Sequence, residues 1–162
     1  MHDIVHELTI AVPPAAVYEA ITTQAGLASW WTTDCDARPE VDSIATFTFG
    51  PRGGLSRSRV GHPGEDTVTL TMKVDLLESP ELVHWDCTGG PDEWVGTKIA
   101  YRVEGVDTDG DGEPDGGSLV RFWHGEWEFE DGLLPGASFQ WAMDLDSLRR
   151  HLETGTGSPA TD

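Results

Sequence analysis

Trp141, Leu145, Leu148 and Leu152 fall at spacings of four, three and four, which draws one apolar stripe along a helix read over Ala137–Leu152. Arg149, Arg150 and His151 in its last turn, with Gly155 just beyond, suit the negative end of a helix and a left-handed cap. Before it, from Ser43 onward, the pattern is one of strands: Ile44–Phe49, Thr67–Leu77, Leu82–Cys87, Thr97–Val106 and Ser118–Trp127, parted by Gly, Pro and Asp clusters. The turn Glu78-Ser79-Pro80-Glu81 is short enough to require an antiparallel hairpin. A sheet cannot bury its own apolar face, so this chain must wrap its sheet around the closing helix.

The N-terminal segment adds one more strand, because Ile4, His6, Leu8, Ile10 and Val12 recur at period two. Pro13-Pro14 stops it, and Pro14 suits the first turn of a helix over Ala15–Thr22 with Val17, Ala20 and Ile21 on one face. A second short helix is read over Leu27–Trp31. With no internal repeat or long linker, residues 1–153 read as a single domain, α+β in class. Thr154–Asp162, rich in Gly, Ser, Thr and Pro, reads as a flexible tail.

Twenty-nine Asp and Glu oppose ten Lys and Arg, a formal charge of -19, and the only lysines are Lys73 and Lys98. Nucleic acid and anionic membrane are therefore poor partners, since binding to phosphates rests on clustered cations. Self-repulsion on this scale weakens the compact state at low salt, and the composition fits either a chain adapted to a salty cytosol or an acidic mesophilic protein. No stretch has the length and apolarity of a membrane span, and Met1–Glu7 has no basic region of the secretory kind, so the expected location is cytoplasmic. Cys35 and Cys87 are expected to be free thiols, because 162 residues can bury a core without a disulfide.

Three stretches carry a family resemblance. Val12-Pro13-Pro14-Ala15-Ala16-Val17-Tyr18-Glu19-Ala20-Ile21, followed by Leu27-Ala28-Ser29-Trp30-Trp31, resembles the opening of the START-like, Bet v 1-like superfamily also called SRPBCC. Gly90-Pro91-Asp92-Glu93-Trp94-Val95-Gly96-Thr97 is similar to a loop and strand of the branch named for homologues of the activator of the heat-shock protein 90 ATPase. Trp141-Ala142-Met143-Asp144-Leu145-Asp146-Ser147-Leu148 through Gly155 is similar to that branch's closing helix. The resemblance spans almost the whole chain. It implies a helix-grip fold: a curved antiparallel sheet wrapped around the C-terminal helix, with two short helices after the first strand. Between the layers, relatives often hold a lipid, sterol or polyketide-like molecule.

On that expectation, a small apolar or amphipathic ligand would meet Phe47, Phe49, Trp85, Tyr101, Phe122, His124, Trp141 and Leu145, the inward positions of strand alternation and helix stripe, together with Trp31, since of the adjacent Trp30 and Trp31 at most one can face the pocket mouth. His124 shares a face with Val120 and Phe122, and an inward imidazole could anchor a ligand carbonyl, act as a general acid or base, or simply bond within the core. No catalytic residue is assigned, because neither Ser118 nor Cys87 sits in a nucleophile motif. The Gly89-Gly90-Pro91 segment with Trp94 reads as a clamped strand reversal.

Asp107, Asp109, Asp111 and Asp115 follow the D-x-D-x-D-G spacing of half a calcium loop, with Ser118 where a bidentate Glu would stand. Calcium is the one cofactor this suggests, and nothing requires one. The histidines and cysteines show no zinc spacing. Alternative roles are a co-chaperone of the heat-shock protein 90 ATPase or protein-interaction module, and a cyclase or hydrolase using an inward His. Chaperone binding is disfavoured, since the eukaryotic activators carry a separate N-terminal binding domain that this chain has no room for. A homodimer is compatible with everything above.

Overall fold

The computed structural model describes residues 1–50, 67–107, 110–113 and 115–161. Strand β1 (His2–Ile10) leads into α1 (Pro14–Thr22) and α2 (Gln24–Trp30). Strands β2 (Cys35–Asp36), β3 (Ile44–Phe49), β4 (Val68–Glu78), β5 (Leu82–Gly89), β6 (Lys98–Val106) and β7 (Gly117–Trp127) follow, and α3 (Leu134–Thr154) closes the chain. The seven strands form one antiparallel sheet in the order β1-β7-β6-β5-β4-β3-β2. Register shifts between Thr71 and Met72, and again between Val74 and Leu76, interrupt the β4–β5 ladder, and such irregularities bend a sheet around what it covers. The helix-grip expected from the sequence is the fold observed.

Strand alternation decides what faces inward. Ile99 pairs with His124, Tyr101 with Phe122, Val103 with Val120 and Trp85 with Ile99, so these side chains form rows across the concave face, and all are buried. Helix α3 lays Ala137, Trp141, Asp144, Leu145 and Leu148 onto them. Its C-terminal cap is Gly155 in the left-handed region at φ 86°, whose N–H bonds His151 O at 2.9 Å.

Proline 14 opens α1 where its missing N–H costs nothing. The α1–α2 corner depends on Gly26, because a Cβ there would lie 2.6 Å from Ala20 Cα and 2.7 Å from Glu19 O. Thr23 caps α2, its Oγ1 accepting from Gly26 N at 3.0 Å. The second helix therefore starts three residues earlier than the apolar pattern implied, since Gln24, Ala25 and Gly26 carry no stripe to reveal it.

The segment expected to be a flexible tail is bound to the body as far as Ala160. Ala160 N donates to Trp31 O and Thr33 N donates to Ala160 O, both at 2.9 Å, while Ser158 N donates to Ser147 Oγ at 2.7 Å. These bonds satisfy backbone groups at the end of α2 that the helix itself leaves open, a use its polar composition does not disclose.

Among the described residues, most of the few cations are engaged. Arg121 pairs with Glu7 and Glu104, Lys98 with Asp86, Lys73 with Asp42, Arg38 with Glu40, and Arg149 and Arg150 with Asp146. These pairs are exposed or half-exposed and each adds little, so the surplus of negative charge remains the larger effect. Melting temperature is accordingly expected to rise between 0.05 and 1 M KCl, by roughly 2–4 °C for each kcal/mol of repulsion screened. A melting temperature unchanged by salt in thermal scans would refute this.

Candidate functional site: the interior between sheet and closing helix

At the centre of the interior stands Trp31, carried there by the end of α2 and fully buried. Its ring lies 4.5 Å from Phe47, 5.3 Å from Phe49, 5.1 Å from Trp141 and 6.0 Å from Trp85, centroid to centroid. The wall continues from Trp85 to Tyr101 at 5.4 Å, Tyr101 to Phe122 at 5.2 Å and Phe122 to Trp141 at 4.4 Å. Leu145 is buried on the same face of α3. Residues from six elements, named from alternation and a helical stripe, thus share one core. They meet ring on ring. The narrow gap beside them, between Trp31, Trp94, Ala137, Gln140, Trp141 and Asp144, nowhere admits a water-sized sphere.

The interior also holds polar atoms. Trp31 Nε1, Trp94 Nε1 and the Tyr101 hydroxyl are buried with no hydrogen-bond partner. Burial pushes the Tyr101 hydroxyl pKa well up, and the nearby Asp144 carboxylate adds to it. Asp144 is itself 3% exposed and accepts from Gln140 Nε2 at 2.9 Å. The pattern of the sequence missed Gln140 and Asp144. They sit beside the apolar stripe of α3, and only the position of Trp31 and Trp94 reveals that this flank is interior.

His124 is fully buried, and both its nitrogens are occupied. Thr97 Oγ1 donates to Trp94 O at 2.6 Å, so it accepts from His124 Nε2–H at 2.8 Å. Trp141 Nε1, which can only donate, bonds His124 Nδ1 at 3.0 Å. Burial lowers the imidazole pKa to about 3. The ring is thus a neutral strut tying β7 to α3 and to the Trp94 turn. In this arrangement both nitrogens are engaged within the fold, and neither faces open space where a substrate could meet it. Cys87 offers no nucleophile in its place, because burial raises its thiol pKa to about 11.

The Gly90–Gly96 segment is a turn clamped by Trp94, whose N–H bonds Pro91 O at 2.9 Å and whose ring packs on His124 and Trp127. In the acidic loop, Asp107 accepts from Gly110 N at 2.7 Å and Gly112 N at 2.6 Å, and Asp111 accepts from Glu113 N at 2.8 Å. These carboxylates organise a turn with lone pairs a cation would also need. Asp109 lies outside the described residues. Among those described, no three His, Cys, Asp or Glu side chains form a group that could hold a metal ion, and no helix is long and apolar enough to cross a membrane.

No family model and no curated protein matches the sequence. Solved structures do. An AHSA1-like protein from Aeromonas hydrophila has a TM-score of 0.66 at 15% identity, covering 95% of this chain and 94% of its own. DynU16, from the dynemicin biosynthetic locus, reaches 0.67 at 16% identity over 96% of this chain and 48% of its own. Both establish the fold alone. The Aha1 protein of Colwellia psychrerythraea, solved as a dimer, has a TM-score of 0.73 and 30% identity over 97% of this chain and all of its own. With that identity sustained from end to end, on the sheet and closing helix described above, the chain belongs to the Aha1-like branch of the START-like superfamily.

Proposed function

We propose that this domain binds a small amphipathic molecule between the sheet and α3, with its polar end toward Trp31, Trp94 and Tyr101. The observation that carries the reading is the set of three buried donors without partners around a wall of aromatic rings. An unmade hydrogen bond in the interior costs about 1–3 kcal/mol, so an acceptor oxygen delivered to these donors would recover energy that packing alone leaves unclaimed. The gap beside these rings has no room even for a water-sized sphere, whereas drug-sized sites begin at roughly 300 Å³. Binding therefore requires α3 or the Trp94 turn to part from the sheet, widening the gap from the Gln140–Asp144 flank. Ala142, a natural place to try a blocking substitution, is exposed and would not obstruct entry.

A panel of fatty acids, sterols and flavonoid-like compounds, read by tryptophan emission and melting temperature, tests this. A true ligand at a hundredfold excess over its dissociation constant should add about 2.7 kcal/mol of stability. Trp94→Phe should bind it more weakly while still folding, because the indole N–H it removes bonds nothing in the free protein. If no compound shifts either signal, the reading falls.

We also propose that the chain self-associates. The Colwellia relative, 30% identical over its entire length, is a dimer, and α3 here exposes Phe139 and Met143. Analytical ultracentrifugation decides it.

A further inference from the structure

Helix α3 has a second stripe on its outer side: Gly136, Phe139, Met143, Asp146 and Arg150, at spacings of three, four, three and four. Phe139 is 70% exposed and Met143 38%, and a Cβ placed on Gly136 would meet nothing within 4 Å. An open groove of about 370 Å³ runs beside Met143, between Ala142, Asp146, Arg150 and Ser158. The stripe is polarised in charge. Exposed Glu128, Glu130 and Asp131 stand just before its N-terminal end, whereas at its C-terminal end Arg149 and Arg150, both paired with Asp146, offset the charges of Asp146 and exposed Glu153. No other stretch of this acidic sequence has two adjacent arginines.

We infer that this outer face of α3 is the surface on which a second copy docks, with the two α3 helices antiparallel across a two-fold axis between Phe139 and Met143. The inference rests on the self-association proposed above and names its site. Antiparallel pairing sets Phe139 of each copy against Met143 of the other, and each copy's Arg150 and His151 beside Gly132 and Asp131 of the other. Parallel pairing would set acid against acid and arginine against arginine. A two-fold axis demands a patch that complements itself, and a ridge of Phe139 and Met143 with a groove alongside is one. Two chains of charge -19 repel over most of their surfaces, so a contact is favoured where negative charge is locally offset, as it is around Arg149 and Arg150. A single helix pair falls short of the roughly 1,200 Å² of a standard interface, which makes the dimer a weak one.

Sedimentation of the full chain from about 1 to 300 µM, the span of weak association, tests both layers. The wild type is expected to dimerise reversibly, and Phe139→Asp to remain monomeric with its melting temperature intact. Met143→Asp gives the same reading should the first variant fail to fold. Arg150→Glu should weaken association at least tenfold, and adding Asp131→Arg should restore it. A wild type that stays monomeric overturns self-association and this interface together. Dimers that persist in both Phe139→Asp and Met143→Asp overturn the interface while leaving self-association standing. Failure of Asp131→Arg to rescue Arg150→Glu overturns the antiparallel arrangement.

Discussion

Trp31→Ala is expected to cost about 3–5 kcal/mol of stability, the range for deleting a large buried ring whose neighbours cannot fully collapse. Trp31 is open to that penalty because Phe47 and Phe49 of β3, Trp85 of β5 and Trp141 of α3 all pack on it. Trp31→Phe should cost far less. It keeps a ring against the same partners, and the Nε1–H it removes has no bond to lose. The contrast with Trp141 sharpens the test. Its Nε1–H is bonded to His124, so Trp141→Phe strands the imidazole Nδ1 and should cost about 1–3 kcal/mol beyond the lost area. The enlarged cavity of Trp31→Ala should bind benzene or indole and regain melting temperature, since a dry apolar cavity of this kind accepts apolar guests. Urea denaturation of the three variants checks the order, and equal losses for Trp31→Phe and Trp31→Ala would sink it.

Acid should weaken the fold through His124. In the unfolded chain its imidazole titrates near 6.5, and in the folded protein burial lowers it to about 3. Between those values the unfolded state holds the extra proton, so stability rises with pH across this window and is lost as pH falls through it. By pH 4.5 roughly 3 kcal/mol of the contribution should be gone, and on the order of 4 kcal/mol in total near pH 3. Folding free energies measured from pH 7 to 4 in wild type and His124→Asn should diverge by that amount, since the carboxylates titrate alike in both. The His124 ring signals in nuclear magnetic resonance should also stay at their neutral position down to about pH 4. Parallel stability profiles, or a ring that titrates near 6.5, would overturn the assignment.

These two residues also mark where sequence reasoning stops. Alternation placed His124 inward beside Phe122, and it is inward. Its role turned on Thr97, Trp94 and Trp141, which lie 27, 30 and 17 positions away in the chain, and no local pattern announces a bond across that separation. The neighbouring Trp30 and Trp31 read alike in sequence. In the fold, Trp30 turns to α1 and donates to Ala20 O at 2.8 Å, while Trp31 enters the core. Strand β2 escaped notice because two residues carry no period.

What the amino-acid order determined alone was the kind and sequence of elements, which side of each strand and of α3 is apolar, and hence the sheet wrapped on a helix. These follow from periods of 2 and 3.6, which are properties of neighbouring residues. Whether the inward rings leave a chamber or close on one another was decided by tertiary structure. So were the three donors left without partners, and the return of residues 155–160 to Trp31 and Ser147. Those outcomes depend on how far apart packed layers sit, to within about the width of one water molecule, and on hydrogen bonds between residues far apart in the chain. A periodic pattern carries the direction of a side chain and not the distance to what it meets.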